Sequence, residues 1–327
     1  MALSGTQVNA YLDRICLPQP VRESLKQGPG GPDALSAVAT LQRHHLKHVP
    51  FENLDLMYSS HHSLPQDTES VFHRVVNLKR GGVCDQIHLL FTQLLRHFGF
   101  VVYCTGSRIN AAASLPVASG RASSGASGDR SKPKFGPWVH LNTIVTIGDQ
   151  EYVVDTGHGP SGFPCPVPLI HGHVAEDIAG RQRRMIHDGI PGWTNPNQKW
   201  WRMQIRYSAS EDWLDVWAFT ETEWTPMDFQ LLRLGYASLG TGWVEPKVCC
   251  FRTIYEGDVP VGFLLVLEDE LRRSHKGEIE VLQKFYSEHD RIEVLEREFG
   301  IVLSEEEQEH ILGHPAEIQD DGFDYYG

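Results

Sequence analysis

The chain lacks the cysteine usage of a stapled secreted fold. Its six cysteines in 327 residues include no CxxC pair, so they build neither a disulfide framework nor a zinc-ribbon pattern. The adjacent Cys249-Cys250 pair reads as two packed thiols, because neighbouring cysteines close a bridge only with strain. Positive charge is also scarce, with 29 Lys and Arg against 42 Asp and Glu, a formal net charge of −13. Nucleic-acid binding and adhesion to anionic membranes both need a basic surface, so neither partner is expected. A few local cations still suffice for an anionic cosubstrate. Long hydrophobic runs are missing: the longest, in VPVGFLLVLEDE, has about 8 apolar residues, where a bilayer span takes roughly 20. The opening MALSGTQVNAYLDRICLPQP has no basic segment leading into an apolar one, so no signal peptide is expected. Cytoplasmic residence is the matching expectation.

The remaining composition is that of a globular chain, 41% hydrophobic and 22% charged, and its length suits two or three domains. Up to about Gly99 the pattern is helical. NAYLDRICL, PDALSAVATLQRHHLKHV and TESVFHRVVNL repeat apolar residues at spacings of three and four. After Gly99 the texture alternates and becomes β-branched, in VVYCTGSRI, WVHLNTIVTIG, EYVVDTG, WRMQIRYSAS and EDWLDVWAFT. Residues 111–134, rich in Ala, Ser and Gly, read as a flexible insert within this β region. The stretch from Gly157 to Pro196 gives no clear assignment. The final third predicts a helix over PMDFQLLRLGYASL and strands over KVCCFRTIYEG and GFLLVLED. A terminal helical pair is expected over EIEVLQKFYSEHDRIEVLEREFGI and SEEEQEHIL. The fold class is therefore α+β, with segments 1–99 (helical), 100–222 (β) and 223–327 (mixed). No internal repeat is present.

Within NLKRGGVCDQIHLLFTQLLRHFGF, Cys84 follows two glycines and opens a helical pattern. Ile87, Leu90, Phe91, Leu94, Leu95 and Phe98 share one face, Asp85 lies in the first turn, and Gly99 follows as a cap. Unpaired amides and the helix dipole favour a thiolate at that position. Most lone cysteines are inert and buried, so a catalytic reading needs a base and a group to orient it. His140 lies in the apolar strand PWVHLNTIV, and Asp155 ends the next strand, EYVVDTGHG. The turn signal Gly148-Asp149 lies between them. A hairpin about that turn brings the two residues close across the ladder. A strand His is usually a satisfied core residue and a carboxylate ending a strand is usually a cap. The order Cys, His, Asp makes both ordinary readings weaker.

HVPFENLDL, RGGVCDQIHLLF, a His in an apolar strand and VDTGHG together resemble the arylamine N-acetyltransferases, whose motifs read PFENL, RGG-aromatic-C, a strand His and VDVGFG. DFQLLRLGYASLGTGWVEPKVCC and the EFGIVLSEE ending add to the likeness, which spans Val49 to Leu303. The resemblance implies a helical bundle carrying Cys84, a β-barrel carrying His140 and Asp155, and an α/β lid, on a core like that of cysteine proteases and transglutaminases. It implies a Cys84–His140–Asp155 triad and ping-pong transfer of an acyl group from acetyl-CoA or another acyl-CoA to an arylamine, arylhydrazine or arylhydroxylamine. No permanently bound cofactor and no metal are expected, and the chain is expected to be a monomer or weak homo-oligomer. Phe51 matches a residue lining the acceptor pocket. Arg80 matches a mainly structural Arg. Ser238, Gly240 and Thr241 match a segment that touches CoA.

Three positions depart from the family pattern. Val83 stands where an aromatic is usual, His88 where an Asn is common, and His158 where a Phe is usual. Val83 widens the site beside the thiol, and His158 adds a polar, titratable ring. These changes point to a choice of acceptor different from simple anilines, and to a wider, more polar pocket with room for a larger or carboxylated acyl group such as malonyl. Two rival chemistries carry less support. Seventeen histidines raise the question of a metal, but only His44 and His48 have helical i, i+4 spacing and no HExxH glutamate lies between them. A transglutaminase-like cysteine hydrolase that does not use CoA can present the same residue order. A non-catalytic binding protein on the same fold would have no need of the three residues together.

Overall fold

The computed structural model describes residues 2–111, 113, 132–159, 162–239, 247–276 and 278–319, and its helices and strands follow the change of texture in the sequence. Helix α1 (Gly5–Arg14) begins at Ser4, whose hydroxyl accepts the Gln7 amide while the Gln7 side chain accepts the Ser4 amide. This reciprocal cap satisfies two donors that a helix start leaves open. Helices α2 (Gln19–Lys26) and α3 (Ala34–His48) follow. Helix α3 buries Ala34, Ala37, Val38, Leu41 and His45 along one stripe. Strand β1 (Phe51–Glu52), α4 (Asp55–Tyr58) and α5 (Thr68–Phe72) lead toward the thiol. The run TESVFHRVVNL, expected as one helix, is α5 continued by a π-turn at His73–Asn77. Two tertiary anchors coincide with that wider turn. Arg14 donates to the Val75 carbonyl at 3.0 Å, and Arg74 pairs with Glu52 and Asp55. Helix α6 (Cys84–His97) buries Ile87, Leu90, Phe91, Leu94 and Leu95. These side chains join those of α1, α3 and α5, together with Val145 and Val154 from the β region, in one core.

Eight antiparallel strands form a curled half-barrel: β2 (Val101–Asn110), β3 (Phe135–Ile147), β4 (Gln150–Val154), β5 (Val167–Pro168), β6 (Val174–Glu176), β7 (Gln182–Asp188), β8 (Trp200–Arg206) and β9 (Leu214–Phe219). Their order is β5-β4-β3-β2-β9-β8-β7-β6. Strands β3 and β4 form the expected hairpin, in register from Ile147↔Gln150 to Thr143↔Val154. Gly148 turns the chain at φ +60°, a conformation glycine adopts without penalty. Most of the 111–134 insert lies outside the described residues.

Helix α7 (Pro226–Leu239) precedes a second sheet of β10 (Cys249–Glu256), β11 (Val259–Leu267), β12 (Glu270–His275) and β13 (Glu278–Lys284). Its order, β1-β10-β11-β12-β13, places β1 from the helical region on its edge. Cys249 and Cys250 are both free and, as neighbours on β10, point into two different apolar clusters. The segment EIEVLQK, expected to be helical, is strand β13. It pairs antiparallel with β12, from His275↔Glu278 to Glu270↔Lys284 with one bulge, and α8 (Glu288–Phe299) starts only where Ser287 caps the Asp290 amide. Helix α9 (Glu305–Glu309) is the last helix among the described residues. No helix among the described residues is long and apolar enough to cross a membrane.

Candidate active site

Cys84 is the first residue of α6. The loop before it is held by the backbone. The Gly82 carbonyl accepts the Glu52 amide at 3.1 Å, and the Val83 amide donates to Gln86 Oε1 at 3.0 Å. A Cβ at Gly81 would lie 1.7 Å from the Pro50 carbonyl oxygen, so only glycine fits there. Arg80, expected to be structural, is buried and ion-paired with Glu307 and, at 3.6 Å, with Asp55. Val83 is buried at the helix start. The Cys84 thiol is half-buried and points at the Val139 carbonyl, 3.8 Å away, which places it beside His140.

His140 is buried on β3, and its Nε2 lies 3.5 Å from Asp155 Oδ2. That is an ion-pair contact, and Cys84 adjoins the same ring. Burial works against protonation of this ring, but the Asp155 carboxylate and then the adjoining Cys84 outweigh it, and the imidazole is pushed up to about 9. Asp155 follows directly after β4. Its Oδ1 accepts the amides of Gly157 and His158, both at 2.9 Å, and lies 3.1 Å from His88 Nε2. Burial alone would raise this carboxyl, yet His140 and His88 hold it well below the usual carboxylate range. Gln42, on α3, secures the backbone on either side by donating to the carbonyls of Asp155 and Phe163, both at 2.8 Å.

Of the expected substrate residues, His158 stacks edge-on against His140 with ring centroids 4.8 Å apart. Neither of its ring nitrogens has a hydrogen-bond partner, and burial, with His140 beside it, holds it down at about 3. The ring is therefore neutral near pH 7. Phe51 pairs with Phe251 across the second sheet and bridges to Gly82, which sets it one step from the Cys84 loop. Ser238 falls within α7, while Gly240 and Thr241 lie outside the described residues.

Two contributors were not legible as such in the sequence. His88 stood out only as a departure from a common Asn, although its place four residues after Cys84 puts it one helical turn further along the same face. Gln42 carried no signal. His88, His140 and Asp155 also bring ligand atoms within 4.8 Å of one another, the one such group among the described residues. Each of these atoms already faces another member of the group.

A half-exposed thiol at a helix start, a protonatable imidazole and an ionised carboxylate together support nucleophilic acyl chemistry. The sequence model of the N-acetyltransferase family matches residues 34–308. The chain belongs to the arylamine N-acetyltransferase family. It is similar to N-malonyltransferase FDB2 of Fusarium pseudograminearum, 29% identical over 93% of this chain and 91% of that protein. The protein of the same name from Gibberella moniliformis is 30% identical over 84% of this chain and 80% of its own length. Among solved structures, the arylamine N-acetyltransferase from Mycobacterium abscessus superposes with a TM-score of 0.74 over 95% of both chains at 19% identity. This likeness shows the α+β fold. As a member of this family the chain is an acyltransferase.

Proposed function

We propose that this chain is an acyl-CoA-dependent N-acyltransferase that works by a ping-pong mechanism through an acyl-Cys84 intermediate. The observation that carries the proposal is the contact order Cys84, His140, Asp155, with the thiol at the N-terminus of α6. The helix start and a protonated His140 both lie beside the thiol. The thiolate attacks the thioester carbonyl, the bond to CoA sulfur breaks, and His140 delivers a proton to the departing CoA thiolate. The amine then attacks the acyl-enzyme. His140 takes the proton the amine loses as the Cys84 carbon–sulfur bond breaks, and the thiolate returns. Asp155 keeps His140 in the orientation both half-reactions need. Exchange between two thioesters is nearly isoenergetic, so the acyl-enzyme stays reactive toward a weakly basic aromatic amine.

In this reading residues 1–99 supply the nucleophile, 100–222 the base and its orienter, and 223–327 the cover over the thiol. The acceptor is an arylamine, arylhydrazine or arylhydroxylamine. The donor is malonyl-CoA in preference to acetyl-CoA or propionyl-CoA. Support comes from two relatives that bear the name N-malonyltransferase and from Val83, small and buried beside Cys84, where the family usually has an aromatic. Steady-state turnover of the three donors with one arylamine tests this. Parallel double-reciprocal lines and the highest kcat/KM for malonyl-CoA are expected; a clear preference for acetyl-CoA contradicts the donor assignment.

A further inference from the structure

Asp155 is shared by two imidazoles, and only one of them faces the thiol. His140 meets Oδ2, whereas His88 Nε2 meets Oδ1 at 3.1 Å from the opposite side. The two rings stand edge to face, 5.5 Å between centroids. An ionised carboxylate oxygen only accepts, so this contact puts a proton on His88 Nε2. The Thr156 amide, 3.3 Å from the same nitrogen, is the weaker contact. His88 is fully buried, and burial keeps it below the usual histidine range, in spite of Asp155. Its Nδ1 therefore accepts, and the Thr143 hydroxyl lies 2.9 Å away to donate. Thr143 sits on β3, three residues beyond His140. The Thr92 hydroxyl lies 3.3 Å from Thr143 Oγ1 and 3.3 Å from Cys104 Sγ. A buried chain thus runs from Cys104 through Thr92, Thr143 and His88 to Asp155, drawing on α6, β2, β3 and the loop after β4.

Oδ1 receives the Gly157 and His158 amides as well as His88. With three donors it is saturated, and a turn of the carboxyl group would strand them. We infer that His88 is a positioning residue of the acyl transfer, which fills Oδ1 from a tautomer fixed by Thr143 and so leaves Oδ2 to His140 alone. This rests on the reading of Asp155 as the orienter of His140. Other charged or titratable groups around His88 are Asp85 on its own helix, His45 from α3 and His140 from β3.

The test measures acylation of Cys84 by malonyl-CoA against pH, in the wild-type chain and in His88→Ala, His88→Asn and Thr143→Val. His88→Ala is expected to lower the acylation rate about 10- to 100-fold with little change in donor KM. It should also shift the alkaline limb set by His140 to lower pH, because Asp155 then no longer holds that ring. Asn carries an N–H that can replace the donor, so His88→Asn is expected to restore most of the rate and the position of the limb. Thr143→Val is expected to fall between. Loss in proportion to the unfolded fraction, with the limb unmoved, overturns the inference. Equal loss in His88→Ala and His88→Asn also overturns it. A wild-type chain that forms no acyl-Cys84 would instead overturn the underlying reading of the site.

Discussion

The carboxylate of Glu52 accepts the amide of Gly81 at 3.2 Å, and the same oxygen takes the Arg74 guanidinium at 3.0 Å. Its other oxygen accepts the Leu54 amide at 2.7 Å. One buried side chain on β1 therefore fixes the loop that delivers Cys84 and connects it to the second sheet. Without Glu52 the Arg74 guanidinium keeps Asp55 as a partner, but the buried Leu54 and Gly81 amides lose their acceptor, and a stranded buried donor costs about 1–3 kcal/mol. Glu52→Ala is expected to lose about 2–4 kcal/mol in urea unfolding at pH 7. A loss under ~1 kcal/mol would show that the loop is held by other contacts.

Gly157 tests how closely the loop after β4 approaches the nucleophile. A Cβ there would lie 2.7 Å from Cys84 Cα and 3.2 Å from both Cys84 Cβ and His88 Cδ2. The new methyl group must displace either the Cys84 backbone or the loop itself, and so disturb the setting of the thiol. Gly157→Ala is expected to fold with near-normal secondary structure and to acylate about 100-fold more slowly, the effect of a misplacement near 1 Å. Stopped-flow release of CoA measures this, and a wild-type rate would mean that the loop moves freely.

Stability should peak near neutrality. Burial holds His45 and His158 at about 3 in the folded chain, against ~6.5 when unfolded. Between these values the unfolded chain binds more protons, so stability falls as the pH drops below ~6.5. His140 acts in the opposite sense: held up at about 9 by Asp155 against burial, it lets the folded chain bind more protons from ~6.5 upward, so its contribution is lost as the pH rises through 9. Thermal melts across pH 5 to 10 are expected to show a maximum near 6.5, with the alkaline decline flattened in Asp155→Asn and the acid decline retained. A maximum above pH 8 contradicts these assignments.

The local features of the site were legible because each has a short-range cause. The face of α6, the turn at Gly148 and the symmetry of the β3–β4 hairpin were enough to bring His140 and Asp155 together. His88 has the same local logic, four residues after Cys84, but nothing local shows that its partner lies 67 residues away. Arg80 and Glu307, separated by 227 residues, leave no sequence pattern for their pairing. Gln42, whose contacts are carbonyls more than 110 residues distant, is equally silent. Strand β13 was missed because EIEVLQK combines charges and apolar residues in a way that suits a helix in isolation. Only its ladder with β12 decides for the strand.

Intact-protein mass measurement after mixing with malonyl-CoA or acetyl-CoA, without an amine, tests the central claim most directly. The wild-type chain should gain one acyl group and lose it when an arylamine is added, while Cys84→Ala gains none. An unmodified wild-type mass with every acyl-CoA would contradict acyl transfer through Cys84 and turn attention to CoA-independent chemistry at the same thiol.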